Sequence, residues 1–303
     1  MKAPRVRNTV AVGDAPSRRF RELDEYRVDR EWQRYEGNAL RELFRVLRVR
    51  FLRRHRPEVA GPVLEIGPGP GRFSAELGDP DHPRILIDLS VRALRAARGH
   101  LSGRPVAQVG ASEFVRGDAR RLPVRPGRFS QCILLGNALG FAGGEGSSIL
   151  AETAERLVAG GSLLLEVVAG AGEHSAYLRR LPTGAMRRTL AAPITAVLPR
   201  VDREGFLPQA ERKRTVSEFR RYTPETLSRE LTGLGLEVGE VLAVAPALGA
   251  LPDRVEVVRR DPRAWDRLIE LEEAIGLRPE RWSRAAALLV AARRADGTGG
   301  RIK

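Results

Sequence analysis

This chain of 303 residues has one cysteine, three lysines and only 5% aromatic residues, and each scarcity excludes something. A single thiol, Cys132, cannot build a disulfide framework or a thiolate metal cluster. Its place in the apolar run Cys132-Ile133-Leu134-Leu135 predicts a buried structural role. No Cys/His cluster points to a metal. No apolar stretch is long enough to cross a bilayer, because Leu157 to Gly172 is interrupted by Gly160, Gly161 and Glu166. The N-terminus is basic but has no apolar signal core, so the expected location is cytoplasmic. Lysine occurs only at 2, 213 and 303, which leaves arginine to carry the formal net charge of +14. So few aromatics make a poor platform for stacking bases.

What is present is a core-building composition, 42% hydrophobic, over a length that suits one large α/β domain with additions or two small domains. The chain is organised around Val63-Leu64-Glu65-Ile66-Gly67-Pro68-Gly69-Pro70-Gly71-Arg72-Phe73. An apolar run meets an acid and then glycine at three alternate positions, which reads as a strand closing in a ligand-binding turn. Without Cβ atoms the backbone can bend sharply and lie close to a flat or charged ligand. Pro68 and Pro70 stiffen the bend, and a helix starting near Phe73 would aim free N–H groups at the same place. Two more acids follow at strand ends. Asp88 closes Arg84-Ile85-Leu86-Ile87, where a carboxylate can accept from both hydroxyls of a ribose, and Asp118 follows Glu113 to Gly117 one unit later. Strands and helices alternate, so a parallel sheet covered on both faces is expected, with every candidate ligand residue at its carboxyl edge.

In this order the residues resemble the class I S-adenosylmethionine-dependent methyltransferases. The motif E/D-x-G-x-G-x-G corresponds to Glu65 to Gly71, and the two strand-end acids correspond to Asp88 and Asp118. The resemblance runs from about Pro62 to Val168 and returns for the final strands. It implies a Rossmann-like α/β fold: a doubly wound, mostly parallel seven-stranded sheet whose last strand is antiparallel. It also implies S-adenosyl-L-methionine as cofactor, held by Glu65, Gly67, Pro68, Gly69, Gly71, Asp88, Leu89, Asp118, Ala119 and Asn137. In the family the acid at Asp118 and its neighbour's backbone hold the adenine, with Ala119 and Leu122 as lining. Relatives usually carry Asp where this chain has Ser130, a position more structural than catalytic. Asn137 can reach the methionine part of the cofactor or the substrate, or can simply form a turn. Thr223 is the expected N-cap, and Pro224 the first residue, of the family's last helix.

The remaining chain divides by pattern. Residues 1–56 are expected to be an arm plus a helical extension, 57–169 the cofactor-binding core, and 170–221 a substrate-cap insertion. Residues 222–295 return to the core, with a helical insertion at 253–281, and 296–303 are a disordered tail. In the extension, Leu40, Leu43, Phe44, Leu47 and Phe51 share one apolar face, while Arg41, Glu42, Arg45 and Arg48 take the other. Tyr26, Arg27, Trp32, Arg34 and Tyr35 either close over the site or are ordinary core and surface residues. His174 is the candidate general base of the cap; His55, His82 and His100 fall on linkers or the helical layer.

The acceptor is expected to be a small molecule. RNA is the alternative, because residues 1–56 hold sixteen Lys or Arg against eight Asp or Glu. Two features weaken nucleic-acid methylation: the lone cysteine is set in an apolar run, and no Asn/Asp-Pro-Pro-Tyr or Phe segment follows the fourth strand. A nicotinamide-dependent oxidoreductase fits less well, since Arg72 stands where its fingerprint needs glycine. An inactive cofactor-binding partner subunit is the third reading. A monomer or homodimer is expected.

Overall fold

The computed structural model describes residues 7–8, 25–77, 81–105, 110–169, 206–207, 219–246 and 252–295. Arg7–Asn8 form a short strand β1. Helices α1 (Glu25–Trp32) and α2 (Ala39–Arg54) follow, joined by a 3-10 turn, Gln33–Tyr35. The alternating part consists of β2 (Val63–Ile66), α3 (Arg72–Glu76), β3 (Arg84–Asp88), α4 (Val91–Ser102), β4 (Ser112–Arg116) and β5 (Phe129–Leu134). It continues through α5 (Ala138–Phe141), α6 (Gly146–Arg156) and β6 (Leu157–Val168). A two-stranded ribbon, β7 (Phe206–Leu207) with β8 (Phe219–Arg220), precedes α7 (Pro224–Gly233), β9 (Leu236–Val244), α8 (Pro252–Arg259), α9 (Pro262–Gly276) and β10 (Ala287–Arg294).

The main sheet runs β1-β4-β3-β2-β5-β6-β10-β9. It contains the seven expected strands plus β1, which pairs in parallel with Val115 and Arg116. Strands β2 to β6 are parallel, and β10 lies antiparallel between β6 and β9. The chain moves outward from β2 to β4 and then returns to β5, so the strand order reverses between β2 and β5. A crevice opens at such a switch point, at the carboxyl ends of the strands.

Side-chain alternation divides the core into two. One face of the sheet packs Leu64, Ile66, Cys132, Leu134, Leu163 and Leu165 against α6 and α7. The other packs Val63, Ile133, Leu135 and Leu164 against Leu43, Leu47 and Phe51 of α2 and Leu268 and Ile269 of α9. The 253–281 insertion is therefore part of the second helical layer. Local signals match the sequence: Asn38 caps α2, Ser90 caps α4, and Thr223 makes a reciprocal capping box at the start of α7. Ser130 bonds to the Gly61 and Pro62 carbonyls, a structural use of that position.

Two expectations are corrected. The paired glycines Gly160 and Gly161 predict a turn before the fifth strand, but β6 runs through them, with a shift in its pairing to β5. A Cβ at Gly161 would lie 3.1 Å from the carbonyl oxygens of Phe129 and Ser130, so glycine here permits close backbone approach. Arg48 does not lie on a solvated face. Both it and Glu166 of β6 are buried, and the guanidinium grips the carboxylate through Nε at 2.8 Å and through Nη2. Gly136 N–H adds a bond to Glu166 at 3.2 Å, and Arg48 Nη1 donates to the Phe44 carbonyl. Burial opposes both charges, and their mutual attraction outweighs it: Glu166 is held below the ordinary carboxylate range and Arg48 above the ordinary guanidinium range.

Glu166→Gln leaves a buried guanidinium without its counter-charge, and urea denaturation is expected to show a loss of about 3–5 kcal/mol. The folded carboxyl titrates below its reference value of 4.5, so its contribution is present above that pH and is lost as pH falls through the folded value. The stability gap between wild type and variant should therefore narrow on acidification; a pH-independent gap would contradict this assignment.

Candidate active site at the carboxyl edge

The glycine bend follows directly from β2. Gly67, Gly69 and Gly71 all have positive φ, at 68°, 55° and 77°, where a side chain is strained. Their surroundings differ. A Cβ on Gly71 would sit 2.9 Å from Ala97 Cβ of α4, so this glycine exists for packing. A Cβ on Gly67 would approach Ala138 of α5 at 3.2 Å. A Cβ on Gly69 would meet nothing within 4 Å. The middle of the bend therefore faces open space, as a cradle for a flat ligand requires.

Asp88 ties the bend to the next strand. Its Oδ2 accepts from Gly69 N–H at 3.0 Å and its Oδ1 from Ser90 N–H at 2.8 Å. Burial raises this carboxyl above its ordinary range, against the backbone amides of Ser90, Gly69 and Leu89. A carboxylate offers roughly four acceptor positions, so Asp88 keeps capacity for a ligand hydroxyl while it fixes the loop. Leu89 stands beside it, half-buried.

Asp118 lies at the end of the neighbouring strand β4 and is 6% exposed. Arg120 covers it: the Arg120 amide and Nε reach Oδ1 at 3.0 Å, and Nη2 reaches Oδ2 at 2.6 Å. Ala119 between them is half-buried, and Leu122 is buried in the core behind.

Glu65 is turned elsewhere. It is 4% exposed and accepts from Ser74 Oγ of α3 at 2.6 Å. Burial raises its carboxyl above the ordinary range, and the Arg84 charge and the Ser74 hydrogen bond only partly oppose this. Glu65 therefore braces the bend from behind, on the α3 side.

Asn137 opens α5 at φ 61°, and its Oδ1 accepts from Val168 N–H at 3.2 Å. It forms a turn tying the end of β5 to the end of β6. Gly140 leaves room for it, since a Cβ there would lie 2.2 Å from Asn137 Oδ1. Pro68 is half-buried in the bend. His174 and the rest of the expected cap at 170–205 lie outside the described residues, as do Arg212 and Arg214.

The sequence reading missed three features here: Arg120 on Asp118, Glu166 under the Gly136 amide, and the pairing of Trp32 with His100. Only the first left a local trace, an arginine two residues after a loop aspartate. The described residues contain no group of three or more His, Cys, Asp or Glu able to hold a metal ion. No helix among them is long and apolar enough to cross a membrane.

A parallel sheet with a glycine bend at its switch point and acids following the two adjacent strands is the arrangement in which open α/β proteins bind ligands at the carboxyl edge. Residues 63–161 match the model of the methyltransferase domain family. An S-adenosylmethionine-dependent methyltransferase of Mesorhizobium loti superposes with TM-score 0.52 at 18% identity, over 86% of this chain and 100% of that one. One of Methanosarcina mazei gives 0.51 at 17%, over 78% and 93%. The CcbJ methyltransferase of Streptomyces caelestis gives 0.50 at 17%, over 82% and 88%. No curated protein matches the sequence. Residues 63–161 thus match the methyltransferase domain family, and the chain has the fold seen in S-adenosylmethionine-dependent methyltransferases.

The contrast between two glycines is measurable. Gly71→Ala combines a left-handed backbone with overpacking against Ala97, an expected loss of about 2–4 kcal/mol. Gly69→Ala faces open space and should lose only about 1–2 kcal/mol. Equal thermal destabilisation of the two variants would contradict the division of roles drawn here.

Proposed function

We propose that this enzyme transfers the S-adenosylmethionine methyl group to a small-molecule acceptor by in-line attack on the sulfonium methyl. The cofactor supplies an already activated electrophile, so the protein's work is to align the acceptor and exclude water. The Gly67 to Gly71 bend, with Pro68 and Pro70 stiffening it, lies along the nucleoside and the methionine chain. Asp88 accepts from the ribose hydroxyls, with Leu89 against the sugar. Asp118 and the Ala119 backbone take the adenine edge. Glu65 and Asn137 hold the two loops that flank the methionine end. Segment 170–221 closes over the acceptor, with His174 as a base where the acceptor needs one. The residues fit the group: Gly69 leaves an open cradle, and Asp88 keeps acceptor capacity beside it.

One observation favours a small acceptor over RNA. Four arginines of α2 spend their charge internally: Arg45 pairs with Glu76, Arg48 with Glu166, Arg50 with Glu273, and Arg54 with Glu240 and Glu273. Arginines engaged in this way do not form a phosphate-binding stripe.

Asp88→Ala is expected to weaken S-adenosylmethionine binding at least tenfold in isothermal titration, because the ribose loses a charged acceptor. Unchanged affinity would remove Asp88 from the site. Incubation of cell extract with methyl-labelled cofactor is expected to label the small-molecule fraction. Label in RNA, with binding that falls steeply as salt rises, would replace this acceptor class with nucleic acid.

A further inference from the structure

The bend rests on one face of α4. Ala97 and Leu101 approach the Cβ position of Gly71, and His100, between them on the same face, bonds through Nδ1 to the Pro70 carbonyl at 2.9 Å. A carbonyl only accepts, so Nδ1 carries the proton. The His100 ring is in turn stacked on Trp32 of α1, with centroids 3.4 Å apart and planes 19° from parallel. Arg72, the first residue after the bend, donates to the Trp32 carbonyl at 3.0 Å and lies 5.2 Å from the centre of its ring. Trp32 thus touches both ends of the bend's support, α4 through His100 and α3 through Arg72.

We propose that Trp32 and His100 are positioning residues for the cofactor: the N-terminal extension sets the glycine bend through the Trp32–His100–Pro70 relay. This rests on the reading that the bend holds S-adenosylmethionine. Pro70 has no N–H, so its carbonyl is its only main-chain polar group, and the relay occupies that group from outside the loop. A bend set by the extension binds cofactor more tightly, and by linkage bound cofactor tightens the docking of the extension by the same factor.

The test uses the full chain. Trp32→Ala and His100→Ala are expected to weaken S-adenosylmethionine binding about three- to tenfold in isothermal titration, the size of one lost aromatic pair. Trp32→Phe, which keeps a ring for the stack, should restore most of the affinity. In a Trp265→Phe/Trp282→Phe background, Trp32 becomes the sole tryptophan, and its emission should shift on cofactor titration with the calorimetric Kd. If wild type binds and Asp88→Ala does not, while both alanine variants bind like wild type, the relay is wrong and the reading of the bend survives. If wild type fails to bind, both fall.

Discussion

The carboxyl edge of this sheet is fixed by one residue that reaches in two directions. Asp88 holds the glycine bend through its carboxylate on Gly69 N–H, and its carbonyl accepts from Gly117 N–H on the other side. The loops after β2 and β4 therefore share the end of β3 as a common post. Parallel strands place their loops on one edge but leave the spacing of those loops undetermined. Here a half-buried acid determines it. Its raised titration range shows that burial works against the ionised form, a strain tolerated because three backbone amides converge on the same group.

The helical layer over one face of the sheet is oriented by charge. Hydrophobic burial brings α2 onto the sheet at Leu43, Leu47 and Phe51, but apolar contact alone specifies little about rotation or sliding. The Arg48–Glu166 pair, satisfied at both ends and flanked by the aromatic faces of Tyr35 and Phe44, removes that freedom. Arg50, Arg54 and Glu42 extend the same device to α9, β9 and α8. The paired arginines of α2 are in this sense architectural.

Much of this was legible in the sequence. Gly67 to Gly71, Asp88 and Asp118 identify the edge because their chemistry is local: a residue without Cβ, an acid at the end of an apolar run. The cap at Thr223 was legible for the same reason. What was hidden depends on partners far apart in the chain. Nothing within ten residues of Arg48 announces Glu166, and a helical wheel sends it to solvent. The strand through Gly160 and Gly161 was misread because paired glycines signal a turn unless another backbone needs their space. Asp118 was read as an open acceptor, whereas Arg120 already sits on it.

Cys132 lies fully buried in β5, between β2 and β6, its thiol pushed well above the ordinary range by burial. It is the chain's one sulfhydryl, so the native fold presents alkylating reagents with no thiolate to attack. The molecule thus carries an internal reporter: labelling by a maleimide records how often the central strand parts from its neighbours.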